Sequence, residues 1–185
     1  SLRHNIKLKD ARYYDNELDK VSFVNLYPFL PSHFDILLQL LGVLAKSTGG
    51  IGLRSVIKVV QDILVEGSED DSPVANRPVG WLATAGTIYD ALEKDIYRAS
   101  RKLSSIHSSV SKVRNSFPES IIHFDVAKTV AILQILENIP ATPHNIACLL
   151  HPEVDAQTQK DKIEMAISDL IKDPVIPFGE KEGSL

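Results

Sequence analysis

One cysteine, one methionine and one tryptophan are all that this 185-residue chain holds of those types, and aromatic residues make up only 6% of it. With Cys148 alone there is no internal disulfide and no multi-cysteine metal cluster, which suits a reduced, cytoplasmic setting. Its apolar context, NIACLLH, reads as that of a small buried hydrophobe, because a reactive thiol needs a basic and exposed neighbourhood. No apolar run reaches the ~18 residues of a membrane span, and the first residues, SLRHNIKLKD, lack a signal-peptide core, so no membrane partner is expected. Positive charge is also short. The formal net charge is -4, which leaves only a local patch, and no bulk footprint, for nucleic acid.

Catalytic motifs are missing as well. The stretch STGGIGLRSVIKVVQDIL, residues 47–64, sets three glycines and Arg54 in front of a helix-patterned run. Glycine-rich turns that open helices cradle phosphates, since the first-turn N–H groups and the helix dipole both favour an anion. A Walker A loop, however, needs G-x-x-x-x-G-K-[ST] after a buried strand. Here no lysine occurs between Ser47 and Lys58, and the preceding segment reads as a helix. The dinucleotide fingerprint fails on the same context. IIHFD at 121–125 lacks the second acidic residue of a Walker B strand. His4, His33, His107, His123, His144 and His151 include no H-x-x-x-H pair, and no nucleophile-elbow sequence surrounds Ser104, Ser105, Ser108 or Ser109. The chain is therefore expected to be non-catalytic, with no metal or cofactor of its own. A small enzyme would need a pocket of converging titratable groups that the sequence does not display.

What is present is helix. Apolar and charged fractions of 44% and 24% are those of an ordinary globular protein. Residues 1–30 read as an extended connector, with VSFVNLYPFLP at 21–31 closed by two prolines. Pro31 and Ser32 then start a helix with Phe34, Leu37, Leu38, Leu41 and Leu44 at helical spacing. A second helix carries Val56, Val59, Val60, Ile63 and Leu64 and stops at Gly67, completing a helical hairpin across the glycines. EGSEDDSPVANRP follows as an acidic loop. From Trp81 to Phe117 there is no proline, and Leu92, Ile96, Ala99, Leu103, Ile106, Val110, Val113 and Phe117 recur in steps of four and three, the pattern of one long amphipathic arm. Residues 31–120 thus form a lid-like bundle with that arm. In 121–185, Asp125 is expected to cap a first helix and Thr142–Pro143 to start a second. Ile163, Ala166, Ile167, Leu170 and Ile171 stripe a third, and PVIPFGEKEG reads as a strand entering a turn. Three helices and a β-turn is winged-helix order, so the fold class is mainly α, a helical bundle followed by a winged-helix module.

Two basic groups are candidate nucleic-acid contacts. The arm region holds six basic against three acidic residues, with Arg98, Arg101 and Lys102 clustered near its middle. Lys160 and Lys162 open the third helix of the last module, but that module carries five lysines against ten acidic residues, a net of -5, so protein docking suits it better than DNA. A second reading of the chain is a free-standing winged-helix regulator that dimerises through the arm and binds DNA.

YPFLPSHFDILLQLL at 27–41, followed by GLRSVIKVVQDIL at 52–64, resembles the segment after the ATPase core in large P-loop proteins of the bacteriophage-exclusion (BREX) defence type, which carry Y-P-F-x-P-x-x-[FY] and then a G-x-R-S helix. KTVAILQILENIPATPHNIACLL at 128–150 is similar to their helical segment ending in E-N-I-A-x-L-L, with His144 where glutamate is common. The resemblance covers most of the chain in the same order. More broadly, the Arg54 helix resembles the sensor-2 helix of AAA+ ATPases. The resemblance implies a lid and coupling region in which Arg54 contacts the γ-phosphate of ATP, with Mg and the catalytic motifs on a core lying before residue 1. The partners it implies are that core, other defence-system subunits and, as a further candidate, DNA. The start without methionine and the polar end FGEKEGSL fit the expectation of a piece of a larger protein.

Overall fold

The computed structural model describes residues 1–11, 18–48, 53–67 and 72–179, and it is mainly helical. Among the described residues the helices are α1 (Leu2–Asn5), α2 (Lys20–Leu26), α3 (Pro31–Thr48), α4 (Leu53–Gln61), α5 (Ala85–Ala99), α6 (Arg101–Ser116), α7 (Ile121–Leu136), α8 (Pro143–Leu149) and α9 (Lys160–Lys172). A π-helical turn, Asp62–Glu66, extends α4 and ends at Gly67, whose N–H donates to the Asp62 carbonyl. The only β pairing among the described residues is an isolated antiparallel bridge between Trp81 and Glu153.

The segment at 21–31, expected to be extended, contains α2. Asp19 caps it, accepting from the N–H groups of Val21 and Ser22, and that cap satisfies first-turn donors that an extended chain would leave to water. Pro31 does open α3, whose Ile36, Leu37, Leu40, Leu41 and Leu44 are buried, while Leu38, expected on that face, is 41% exposed.

The arm is not one helix. It breaks at Ser100, which takes extended angles (φ -161, ψ 164), and α5 and α6 fold back on each other as a hairpin. Ser100 caps α6, its hydroxyl accepting from the Leu103 N–H at 3.3 Å. His107 Nε2 meets Glu93 Oε1 at 3.0 Å across the fold, with Ser100 midway between them in sequence. A continuous helix would have left the Leu92–Val113 stripe facing outward over its whole length. The hairpin buries Leu92, Ile96, Leu103, Val110 and Val113 in the common core. The four-and-three spacing survives the break because both helices present the same kind of apolar face.

Helix α7 is the axis of the molecule. Val126 to Leu133 are buried without interruption, so α7 is covered on every side, and α3, α5, α6, α8 and α9 pack around it. It starts one turn earlier than expected, with Ser120 rather than Asp125 as its N-cap residue. Thr142 and Pro143 start α8 as the sequence indicates, Thr142 accepting from the Asn145 N–H at 3.2 Å. In α9, Ile163, Ala166, Ile167 and Leu170 are buried, but Ile171 is 37% exposed. Residues 174–179 form no strand. Ile176 plugs into the core instead, and the rest of the expected wing, 180–185, lies outside the described residues.

The first residues are strapped over α8. Asn145, fully buried, accepts from the Lys9 N–H at 2.8 Å and donates to the carbonyls of Lys9 and Pro140, each at 2.9 Å. His144 Nε2 lies 2.9 Å from the Lys7 carbonyl.

Candidate functional site

Arg54 falls in the first turn of α4, as its place in the sequence indicates, though the glycines at 49–52 and the Arg54 side chain lie outside what the structure describes. The element before those glycines is helix α3, not a strand, so the residues present do not fit a P-loop that would hold ATP in this chain. Farther along, Val59 and Ile63 anchor α4 and its π turn in the core.

The basic candidates sit on three elements and are all exposed. Arg98 ends α5, Arg101 and Lys102 start α6 at the same corner, and Lys160 and Lys162 start α9. Two of the five form ion pairs, Lys102 with Glu137 at 2.7 Å and Lys160 with Glu164 at 3.4 Å. The hydrogen bond from Lys102 holds the Glu137 carboxyl below its ordinary pKa. Cations in the first turn of a helix oppose its dipole, so Arg101, Lys102, Lys160 and Lys162 add nothing to the stability of α6 and α9 through that route. Cys148 is 2% exposed, with its thiol 3.4 Å from the Lys7 carbonyl, and burial pushes its pKa up to about 11. That is the environment of a structural thiol.

The sequence did not single out the place where charge converges. A cleft of about 460 Å³ opens between the loop before α5, the end of α6 and the start of α7. Arg77, Arg114 and Lys128 line it together with Asp90 and Asp125, and Thr84, Thr87 and Ser120 add hydroxyls. Lys128, 2% exposed, is the best-buried cation of the group. Its ammonium lies 2.8 Å from Asp90 and 3.5 Å from Asp125. The Phe124 ring holds two cations against its π system, Lys128 Nζ at 4.1 Å and the Arg114 guanidinium at 4.5 Å from its centroid. Arg77 lies 5.6 Å from the centroid of Trp81.

Local sequence explains how these groups meet. Asp125 and Lys128 are one turn apart on α7, and Asp90 projects from the facing α5. Gly86 lets the two helices approach there, since a Cβ at that position would stand 3.0 Å from Asp125 Oδ1. The loop that carries Arg77 is pinned at its far end. Gly80, at φ +103, donates its N–H to the Tyr27 hydroxyl at 2.9 Å, and Val154 N–H donates to the Gly80 carbonyl at 2.8 Å. A positive φ of this size is open to glycine and strained for other residues.

Beside the cleft, Ser120 Oγ is 2.6 Å from His123 Nδ1, and His123 Nε2 is 3.2 Å from Asp169 on α9. His123 stacks flat on Phe117, with ring centroids 4.2 Å apart. These three side chains tether the start of α7 to α9. Asp169 is half exposed, so solvent screens its charge in this contact. Because Ser120 uses its hydroxyl on His123, its side chain makes no capping bond to the first turn of α7.

The sequence signals for this cleft were diluted. Asp90 and Arg114 read as two charges on a solvated arm, and Asp125 as a cap, because the break at Ser100 that swings α6 back beside α5 and α7 carries no proline or glycine. Among the described residues no group of three or more His, Cys, Asp and Glu side chains is placed to hold a metal, and no single helix is long and apolar enough to cross a membrane. No protein-family model matches this chain, and no solved structure matches it.

Proposed function

We propose that this chain is the nucleotide-responsive lid and coupling region of a large cytoplasmic P-loop ATPase of the BREX type. It does no chemistry of its own and passes the nucleotide state of a core outside the chain to other defence subunits. The observation that supports this reading is the placement of Arg54 in the first turn of α4, a helix whose other end is fixed in the bundle core by Val59 and Ile63. An arginine mounted at one end of a firmly seated helix converts a contact with an anion into movement of the whole helix. The guanidinium fork matches phosphate geometry, and phosphoryl-transfer sites use such arginines against the charge that develops on the γ-phosphate.

The test is made in the full-length ATPase that contains this region. Arg54→Ala should lower ATP turnover by about tenfold or more while leaving ATP binding largely intact, as expected when a charge-assisted contact to the transferring group is lost. Unchanged turnover in that variant would overturn the reading, and so would robust ATP hydrolysis by residues 1–185 alone.

A further inference from the structure

Residues 5–11 lie across α8 as a strap, and α8 holds them mainly by their main chain. Asn145 engages both hydrogen-bonding groups of one strap residue, accepting from the Lys9 N–H at 2.8 Å and donating to the Lys9 carbonyl at 2.9 Å. The Lys7 carbonyl lies 2.9 Å from His144 Nε2 and 3.4 Å from the Cys148 thiol. Asn5 adds one side-chain bond, to the Ala156 carbonyl at 3.5 Å. One helix thus reads two alternate residues of a peptide segment. The reading group is set in advance, because the Asn145 amide is also bonded to the Pro140 carbonyl at 2.9 Å, which fixes its orientation whether or not the strap is seated.

The strap brings little to the core in return. Helix α1 has no buried residue, the Lys7 and Lys9 side chains are exposed, and Leu8 and Ala11 are only partly buried where they pack on the core. Asp10 sits at φ +55, a left-handed conformation that is costly for a residue with a side chain. The strap's partners on α8 stand 136 to 141 positions away in sequence, so no local chain geometry holds the two together. A segment with few buried apolar contacts opens at a lower free energy than the whole fold. Beneath it the situation is reversed, with Asn145 fully buried and Cys148 2% exposed.

We propose that this face of α8 is a peptide-docking site, preformed around Asn145 and His144, and that residues 5–11 are its displaceable occupant. The strap leaves while the helical bundle stays folded, and a separate peptide of the same sequence takes its place. The site recognises the N–H and carbonyl of one residue and the carbonyl of the residue two before it, with the apolar Leu8 between them. The inference is independent of the ATPase reading, because it concerns the strap and α8 and involves none of the Arg54 turn.

Cys148, the sole cysteine, reports the opening. The whole chain is treated with an aromatic disulfide, whose S–S bond is opened by the Cys148 thiolate to give a mixed disulfide and one released aromatic thiolate. In the wild type, labelling below the unfolding transition should rise with urea far less steeply than global unfolding requires. Lys9→Pro deletes the N–H that Asn145 accepts, at an exposed side chain, and should speed labelling about tenfold while the cooperative urea transition of the helices remains. Leu8→Ser, which loosens the strap through its apolar contact, should act in the same direction. A synthetic peptide of residues 1–11, added to either variant, should slow labelling again, with half-saturation on the order of millimolar. The same peptide carrying Lys9→Pro should not. Labelling as slow in both variants as in the wild type would overturn the proposal, and so would wild-type labelling that tracks global unfolding. Absence of protection by the peptide, or equal protection by the two peptides, would do so as well.

Discussion

Lys128 shows what one residue contributes to this structure. An ammonium that is 2% exposed would carry a large desolvation cost if Asp90 and Asp125 did not face it. Lys128→Ala should therefore cost about 3 kcal/mol in denaturant unfolding, since it breaks a buried ion pair and removes a well-packed side chain. Lys102→Ala, which removes an exposed pair, should leave the unfolding midpoint where it is. His33 is a second such residue. It is 1% exposed on α3, its Nε2 is 3.0 Å from the Leu149 carbonyl, and burial lowers its pKa to about 4, with the neighbouring buried His151 adding a smaller push the same way. The unfolded chain binds that proton near pH 6.5 and the folded chain only near 4, so stability is intact above about pH 6.5 and falls as pH drops toward 4. The loss from His33 should approach about 3 kcal/mol at the acid end, and His33→Gln should flatten that part of a stability–pH profile measured with urea.

At the scale of elements, the break between α5 and α6 decides the most. Ser100→Ala removes the hydroxyl that accepts the Leu103 N–H and should cost about 1 kcal/mol in thermal or urea unfolding, without loss of the hairpin, because the buried faces of both helices remain. The helices themselves were legible from residues: Pro31, Thr142–Pro143 and Gly67 set the ends of their elements where the sequence indicates. The fold-back was not, because apolar residues spaced by four and three satisfy one long helix and two shorter ones equally well. Only the burial gained by bringing Leu92, Leu103 and Val110 into one core separates the two, and that gain is a tertiary quantity. For the same reason the cleft was hidden. Arg77, Asp90, Arg114 and Lys128 are scattered over 52 positions, from 77 to 128, and meet only after α6 has turned back.

At the scale of the whole molecule, one hydrophobic cluster runs from Phe29 to Ile176 with α7 at its centre. Trp81, the sole tryptophan and 9% exposed, sits in that cluster and bridges to Glu153. Unfolding followed by Trp81 fluorescence and by helical circular dichroism should therefore give coincident transitions, the mark of one cooperative unit. Residues 121–185 expressed alone should unfold without a sharp transition, because α7 would lose the faces that α3, α5 and α6 cover.

The sequence by itself determined the secondary-structure class, most helix boundaries, the burial of Cys148 and the position of Arg54 at the start of a helix. These rest on local rules of capping, proline geometry and apolar period, each contained within a few residues. Tertiary structure decided that the arm folds in two, that α7 is enclosed on all sides, that Ile176 plugs the core, and that five charges from four segments share one cleft. Those outcomes depend on which apolar faces find each other and on which buried charges can be paired, and neither is a property of any short stretch of chain.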